Sequence, residues 1–370
     1  MTHLTRRRAL RLAALSTIAA AAAACGLGPS AAAPSPATPQ AAGAPAPLPR
    51  PTTTTGAEAG APPPPTIKAL GQGPTVSITP NSDFYTVAIT TRSNWLKAET
   101  WKLTVSGKVD HPLSLTLDDL KKLPIVEQMR TLECISNPVG GNLISNTMWK
   151  GVRLADVLQQ AGVQSTAVEI KLTSADGYST AIPLALADHP DSLLVFEMNG
   201  VPLPDDHGAP LRALFPGRYG MKQPKWIVTI EAIAQPYLGH WERQGWSNDA
   251  IVKVNSQVRT PDDGEVITVA SYPVSGTVFS SDVGVARLEV STDGGKTWQE
   301  AGLVRGPTPL AWSEWRYDWL TPPSGSAAVI ARATDNDGNQ QPVGTTRLLL
   351  PDAGLDGVWA AQRVAVTIKK

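Results

Sequence analysis

The chain has 370 residues, with 32 basic and 32 acidic side chains and no formal net charge, which excludes an electrostatic nucleic-acid binder. Charged residues make up only 17% while Gly (31) and Pro (33) are abundant, which excludes a helical bundle and suits a strand- and loop-rich chain with an unfolded segment. The length allows about two globular domains once the N-terminal segments are set aside.

Residues 1–25 read as an export signal. Thr5-Arg6-Arg7-Arg8-Ala9-Leu10-Arg11 matches the twin-arginine pattern S/T-R-R-x-φ-L-K/R, and an apolar, Ala-rich run from Leu12 to Ala24 follows it. That run is too short and too weakly apolar for a stable membrane span. Ala22-Ala23-Ala24-Cys25-Gly26 resembles a lipoprotein cleavage box, with Ala22 where Leu is usual, so a lipid anchor at Cys25 and simple cleavage after an Ala both stay open. Either outcome gives a periplasmic or cell-surface protein. The twin-arginine route carries folded chains, which suits one that receives a cofactor in the cytoplasm. Residues 26–75 are Pro, Ala, Thr and Gly with almost no large apolar groups, and form a disordered tether.

In residues 76–250, strands and short helices alternate irregularly. Trp101–Gly107 alternates with period two and ends on Gly, as a strand does. Leu117–Leu123 has an acidic first turn, apolar residues at helical spacing and Pro124 after its end; Leu154–Ala161 repeats the pattern, closed by Gly162. Val168–Ser174 and Leu193–Met198 are apolar enough for buried strands. No G-x-G-x-x-G follows a strand, so a doubly wound dinucleotide fold is not expected.

Cys134 lies in Thr131–Gly141 (TLECISNPVGG), and the only other cysteine is Cys25 in the leader, so the mature domain has one thiol with no intramolecular partner. A lone cysteine is most often a small buried hydrophobe. This one ends an apolar, β-prone run and precedes a turn rich in Gly and Asn, where backbone N–H groups are free to face a ligand. A thiolate there would suit a soft or redox-active metal. The second dense segment, His207–Trp226, sets Arg212, Arg218, Lys222 and Lys225 among three prolines and three glycines. Four cations in one irregular loop repel one another unless an anion is present, which points to a phosphate-bearing ligand.

From Ile251 to Lys370 short strands recur between turns. Val285–Thr292 alternates, Asp293-Gly294-Gly295 makes a tight turn, Trp298 opens the next strand, and Val329–Thr334 is another. Asp335–Asn339 lacks the downstream Glu of a calcium loop and reads as a turn. Trp312, Trp315 and Trp319 read as packing residues. This half fits an immunoglobulin-like sandwich.

LTLDDLKKLP, TLECISN, WKGVRLADVLQQAG, SADGYSTAIPLALA, MNGVPLPDDHGAPLRALFPGRYGMKQPKW and VSTDGGKTW occur in this order. Together, from about Thr79 to Pro342, they resemble the sulfite-oxidase family of molybdenum-cofactor proteins. The resemblance implies an α+β fold, with a sulfite-oxidase-type molybdopterin-binding domain followed by the immunoglobulin-like domain, and a homodimer made through the latter. It implies one molybdenum–molybdopterin with Cys134 as the metal ligand. His207, Arg212 and Lys225 would hold the pterin and its phosphate, Lys222 and Gln223 would add loop contacts, and Asp176 and Ser179 would border the cofactor.

Three departures bear on the substrate. Sulfite-oxidising members usually continue the cysteine motif as C-x-G-N-R-R, whereas here Pro138 and Val139 stand where the two arginines would be. Val87 stands where such members carry another Arg, and Trp246 where they carry a pocket tyrosine. Arg218 or another cation would have to compensate. Oxygen-atom transfer with sulfite as default substrate is therefore expected, with reduction of S-oxides or N-oxides, or a cofactor-free binding module, as alternatives. No C-x-x-C-H occurs and the five histidines offer no clear pair, so no haem is expected and electrons pass to or from a separate carrier.

Overall fold

The computed structural model describes residues 76–90, 96–344, 356–357 and 359–369. The export signal, Cys25 and the Pro/Ala-rich tether lie outside the described residues. Those described fall within one compact unit, Ile67–Lys370.

The first half is built on two sheets. In one, the strands run in the order Leu113–Leu115, Leu103–Gly107, Ile227–Ile233, Glu169–Ser174 and Ser179–Pro183, with Leu103–Gly107 and Ile227–Ile233 parallel. In the other, Ile125–Glu133, Ile144–Arg153, Leu193–Met198 and Val201–Pro202 lie side by side, and Arg212–Leu214 pairs with Leu193–Met198. Alternation puts Leu103 and Val105, and Ile170 and Leu172, on the inner face of the first sheet, and a bulge between Ile227 and Thr229 lets Ile227 join Ile230 there, so that all six are buried together.

Helices are few and short, so the expected α+β balance shifts to a mostly β chain. Leu154–Ala161 forms as predicted, with Leu154, Val157, Leu158 and Ala161 on its buried face and Gly162 (φ 64°) closing it in the left-handed region. The helix expected to run to Leu123 covers only Leu117–Leu120. Thr116 caps it through a reciprocal bond with Asp119, but Pro124 disfavours helical backbone at Leu123 and the chain leaves in a turn.

The second half pairs a four-stranded sheet (Asn255–Thr260, Ser271–Phe279, Ser313–Leu320, Gly302–Val304) with a five-stranded one (Glu265–Ile267, Arg363–Ile368, Gly325–Asp335, Val285–Ser291, Gln299–Glu300). The two sheets share one core, in which Val274, Val278, Trp315 and Trp319 meet Leu288, Val329, Ala331 and Val364. The Asp335 carboxylate accepts from the Asp337 and Asn339 N–H groups, so it is spent on its own turn. A separate cluster joins the halves: Ile135, Ile144, Tyr219 and Met221 from the first pack with Val252, Phe279 and Trp312 of the second.

Candidate functional site

Cys134 follows directly on the strand Ile125–Glu133, in the turn that leads to Ile144–Arg153. The turn is closed by its own groups. Cys134 N donates to Leu143 O (2.9 Å), Asn137 N to Cys134 O (2.9 Å) and Leu143 N to Asn137 Oδ1 (3.0 Å). Gly141 is required there, since a Cβ would stand 2.5 Å from Asn137 Oδ1. The thiol is 8% exposed, lies 3.1 Å from Ser136 Oγ and lines a cleft.

Around that cleft stand Tyr85, Asp176, Tyr178, His207, Arg212, Gln223 and Lys225, with Val87, Ile89, Met221, Trp241 and Trp246 as apolar wall. Three of the polar side chains carry buried atoms with no hydrogen-bond partner among the described residues: Tyr85 OH, His207 Nδ1 and Arg212 Nε. A buried polar atom left unpaired costs roughly 1–3 kcal/mol, so three around one cleft mark a place where a polar ligand belongs.

Each is aimed by its surroundings. His207 Nε2 donates to Asn81 O (3.0 Å), a group that can only accept, which leaves Nδ1 as an acceptor. Burial lowers the His207 pKa, favouring the neutral ring. Arg212 starts a strand paired with Leu193–Met198, its guanidinium 5.5 Å above the Trp149 ring, and burial takes its pKa down to about 10. Lys225 Nζ donates to Asp206 O (2.9 Å) and stands 4.3 Å over the Trp226 ring. Burial, then Arg212, bring the Lys225 ammonium down to about 7. Tyr85 enters over Gly220, where a Cβ would come within 2.9 Å of its hydroxyl; burial raises its pKa, and the Cys134 charge adds to that.

Of the residues singled out from sequence, Cys134, Asp176, His207, Arg212, Gln223, Lys225 and Trp246 meet at this cleft. Three do not. Ser179 Oγ bonds Tyr237 OH at 2.8 Å. Lys222 points the other way, into a buried pair with Glu242 (2.5 Å), and also donates to Ala181 O and Asn248 Oδ1. Arg218 lies outside the cleft lining, its backbone bridged to Ile251 and its guanidinium attracted by Asp282 and Asp249. It therefore does not replace the missing arginines. Sequence reasoning did not single out Tyr85, Tyr178, Trp241 or Glu133. Glu133 is a carboxyl at the buried end of an apolar strand, and that pattern was the signal available. Burial pushes its pKa up to about 7 against the pull of Asn137 and Asn255.

A family model described as "Oxidoreductase molybdopterin binding domain" matches residues 89–241, and one described as "Mo-co oxidoreductase dimerisation domain" matches 248–351. The mitochondrial sulfite oxidase of Homo sapiens is 33% identical over 313 residues, covering 72% of this chain and 57% of that protein. The chain thus spans a little over half the length of the mammalian relatives it matches. The "uncharacterized oxidoreductase YuiH" of Bacillus subtilis is 37% identical over 146 residues, covering 40% of this chain and 72% of that protein. Among solved structures, the sulfane dehydrogenase SoxCD of Paracoccus pantotrophus shares the fold, with a TM-score of 0.64 at 21% identity, covering 74% of this chain and 79% of that one. The two family models together give a molybdopterin-binding oxidoreductase domain followed by a dimerisation domain. The chain belongs to the sulfite-oxidase family of molybdenum-cofactor oxidoreductases.

Proposed function

We propose that the chain is an exported molybdenum enzyme that moves an oxygen atom to or from a small sulfur-centred substrate, with sulfite oxidation as the starting assignment. The observation that carries this is the buried thiol of Cys134 facing a cleft with two cations and three buried polar atoms that have no partner among the described residues. The residues fit the family's cofactor. Cys134 would ligate the metal, Arg212 and Lys225 would take the phosphate, and Tyr85 and His207 would meet polar edges of the pterin. Asp176 and Gln223 complete the rim. When bound, molybdenum–molybdopterin supplies two-electron oxygen-atom chemistry. The chain's own part is to hold and orient it, keep water from its inner face and admit the substrate beside Ser136.

The outer wall favours a second reading of the substrate. Val87, where sulfite-oxidising relatives are expected to place an arginine, and Trp246, where they are expected to place a tyrosine, line the cleft with Ile89 and Trp241 as an apolar wall. Each absent arginine contact removes roughly 1.5–3 kcal/mol of charge-assisted bonding to an oxyanion. A neutral S-oxide or N-oxide loses nothing on that wall, so reduction of such a substrate is the alternative. Both readings assign electrons to a separate carrier, no haem to this chain, and an immunoglobulin-like second domain as the homodimer contact. Export by the twin-arginine route, with Cys25 as a lipid anchor or cleaved away, completes the proposal.

The test is to express the chain with residues 1–75 intact in a molybdenum-replete host and measure molybdenum and phosphorus per chain. We expect about one molybdenum per chain, as for one cofactor held by one thiolate, and its loss in Cys134→Ser. A folded, metal-free wild-type chain sinks the assignment. Sulfite, sulfoxides and N-oxides, offered with artificial electron carriers, then separate the two substrate readings.

A further inference from the structure

The hairpin that carries Cys134 is fastened along its length to the second domain. Thr131 N donates to Leu310 O (2.9 Å), and Trp312 N donates to Thr131 Oγ1 (2.8 Å). On the far side of the turn, Gln257 Nε2 donates to Gly141 O (2.7 Å). Between these two anchorages lies Glu133. Glu133 closes the strand, and it lies outside the lining of the cleft that Cys134 faces. Its Oε1 accepts from Asn137 Nδ2 (2.9 Å) within the cysteine turn, and its Oε2 from Asn255 Nδ2 (2.6 Å) at the start of the second domain. Asn137 carries the constraint on, since its Oδ1 holds Leu143 N opposite Cys134.

Glu133, Asn137 and Asn255 are all buried. A carboxyl at a buried site is expensive to desolvate, and an apolar side chain would fill the space without that cost. What a carboxyl does there is join two amides from separate parts of the chain. We propose that Glu133 is a positioning residue that locks the Cys134 turn to Asn255, so that the second domain sets where the thiol stands. The proposal rests on Cys134 being the metal ligand. Groups of this kind hold a ligand's orientation without touching the metal.

Polarity reversal tests it. Asn255→Leu keeps the volume and removes the donor to Glu133 Oε2, whereas Asn255→Asp leaves two carboxyl groups at 2.6 Å that hold together by sharing a proton. Combining it with Glu133→Gln restores the pair with donor and acceptor exchanged, while the Gln carbonyl still accepts from Asn137. Molybdenum retained after dialysis and the Mo(V) electron paramagnetic resonance signal are read on full-length protein, beside wild type and Cys134→Ser. Asn255→Leu is expected to retain roughly tenfold less molybdenum with a shifted signal, and the Asn255→Asp, Glu133→Gln double variant to match wild type in both. Asn255→Ala, which removes the donor and leaves room for water, is expected to fall between and serves where Asn255→Leu does not fold. Wild-type retention and signal in folded Asn255→Leu or Asn255→Ala overturns the proposal, as does a double variant no better than Asn255→Leu. Wild-type protein without molybdenum overturns instead the cofactor assignment beneath it.

Discussion

At the scale of single residues, Lys225 is where charge and pH meet. Its amine titrates near 10.5 in an unfolded chain and near 7 in the folded one. Between those values the unfolded chain binds more protons, so the ligand-free protein gains stability as pH rises from about 7 towards 10.5. Below about 7 the ammonium is charged in both states and that gain is absent. An anion in the cleft reverses the preference by favouring the charged amine. Binding of sulfate, which does not itself titrate in this range, is therefore expected to draw in a proton at pH 8–9, between the two titration points. Calorimetric titrations in buffers of different ionisation enthalpy report that proton, and Lys225→Met should abolish it; equal heats in every buffer contradict the assignment. Residue types at this site were legible in the sequence, but directions were not. Arg212 and Lys222 look alike as cations in one loop, yet one faces the cleft and the other a carboxylate on the opposite side.

At the scale of elements, Lys222 explains how an irregular loop keeps its shape. Its ammonium and the Glu242 carboxylate, 3% and 1% exposed at the side chain, tie His207–Trp226 to the segment that carries Trp241 and Trp246. Thr180 Oγ1 adds a donor to the same carboxylate at 2.7 Å. Removing one partner strands a buried charge, so Lys222→Met is expected to cost about 3–5 kcal/mol by thermal or denaturant unfolding. Adding Glu242→Gln should recover much of that; a double variant as unstable as Lys222→Met would show that the charge is not the cause. Local sequence fixed the helix Leu154–Ala161 and the strand Leu193–Met198, because apolar period and stop signals agree there. It overextended the helix after Thr116, where proline geometry outweighed apolar spacing.

At the scale of the molecule, the halves share a core, and the cysteine hairpin takes hydrogen bonds from both. They are expected to unfold together. Scanning calorimetry of the full-length protein should show one transition with equal calorimetric and van't Hoff enthalpies, where two resolved peaks would mean independent domains. The recurrence of short strands and turns after Ile251 suggested a division of the chain into halves. It could not give the strand order, since Leu103–Gly107 finds its parallel partner in Ile227–Ile233, far along the chain, and no local pattern encodes that choice.

The bond from Asn255 to Glu133 spans 122 residues of sequence. During synthesis Cys134 leaves the ribosome well before Asn255, Gln257, Leu310 and Trp312, the residues that fasten its hairpin. The thiol can be made early, but its setting is completed only when the C-terminal half has been translated and has folded against it. A metal group that needs the finished setting is therefore installed in a completed chain, after translation.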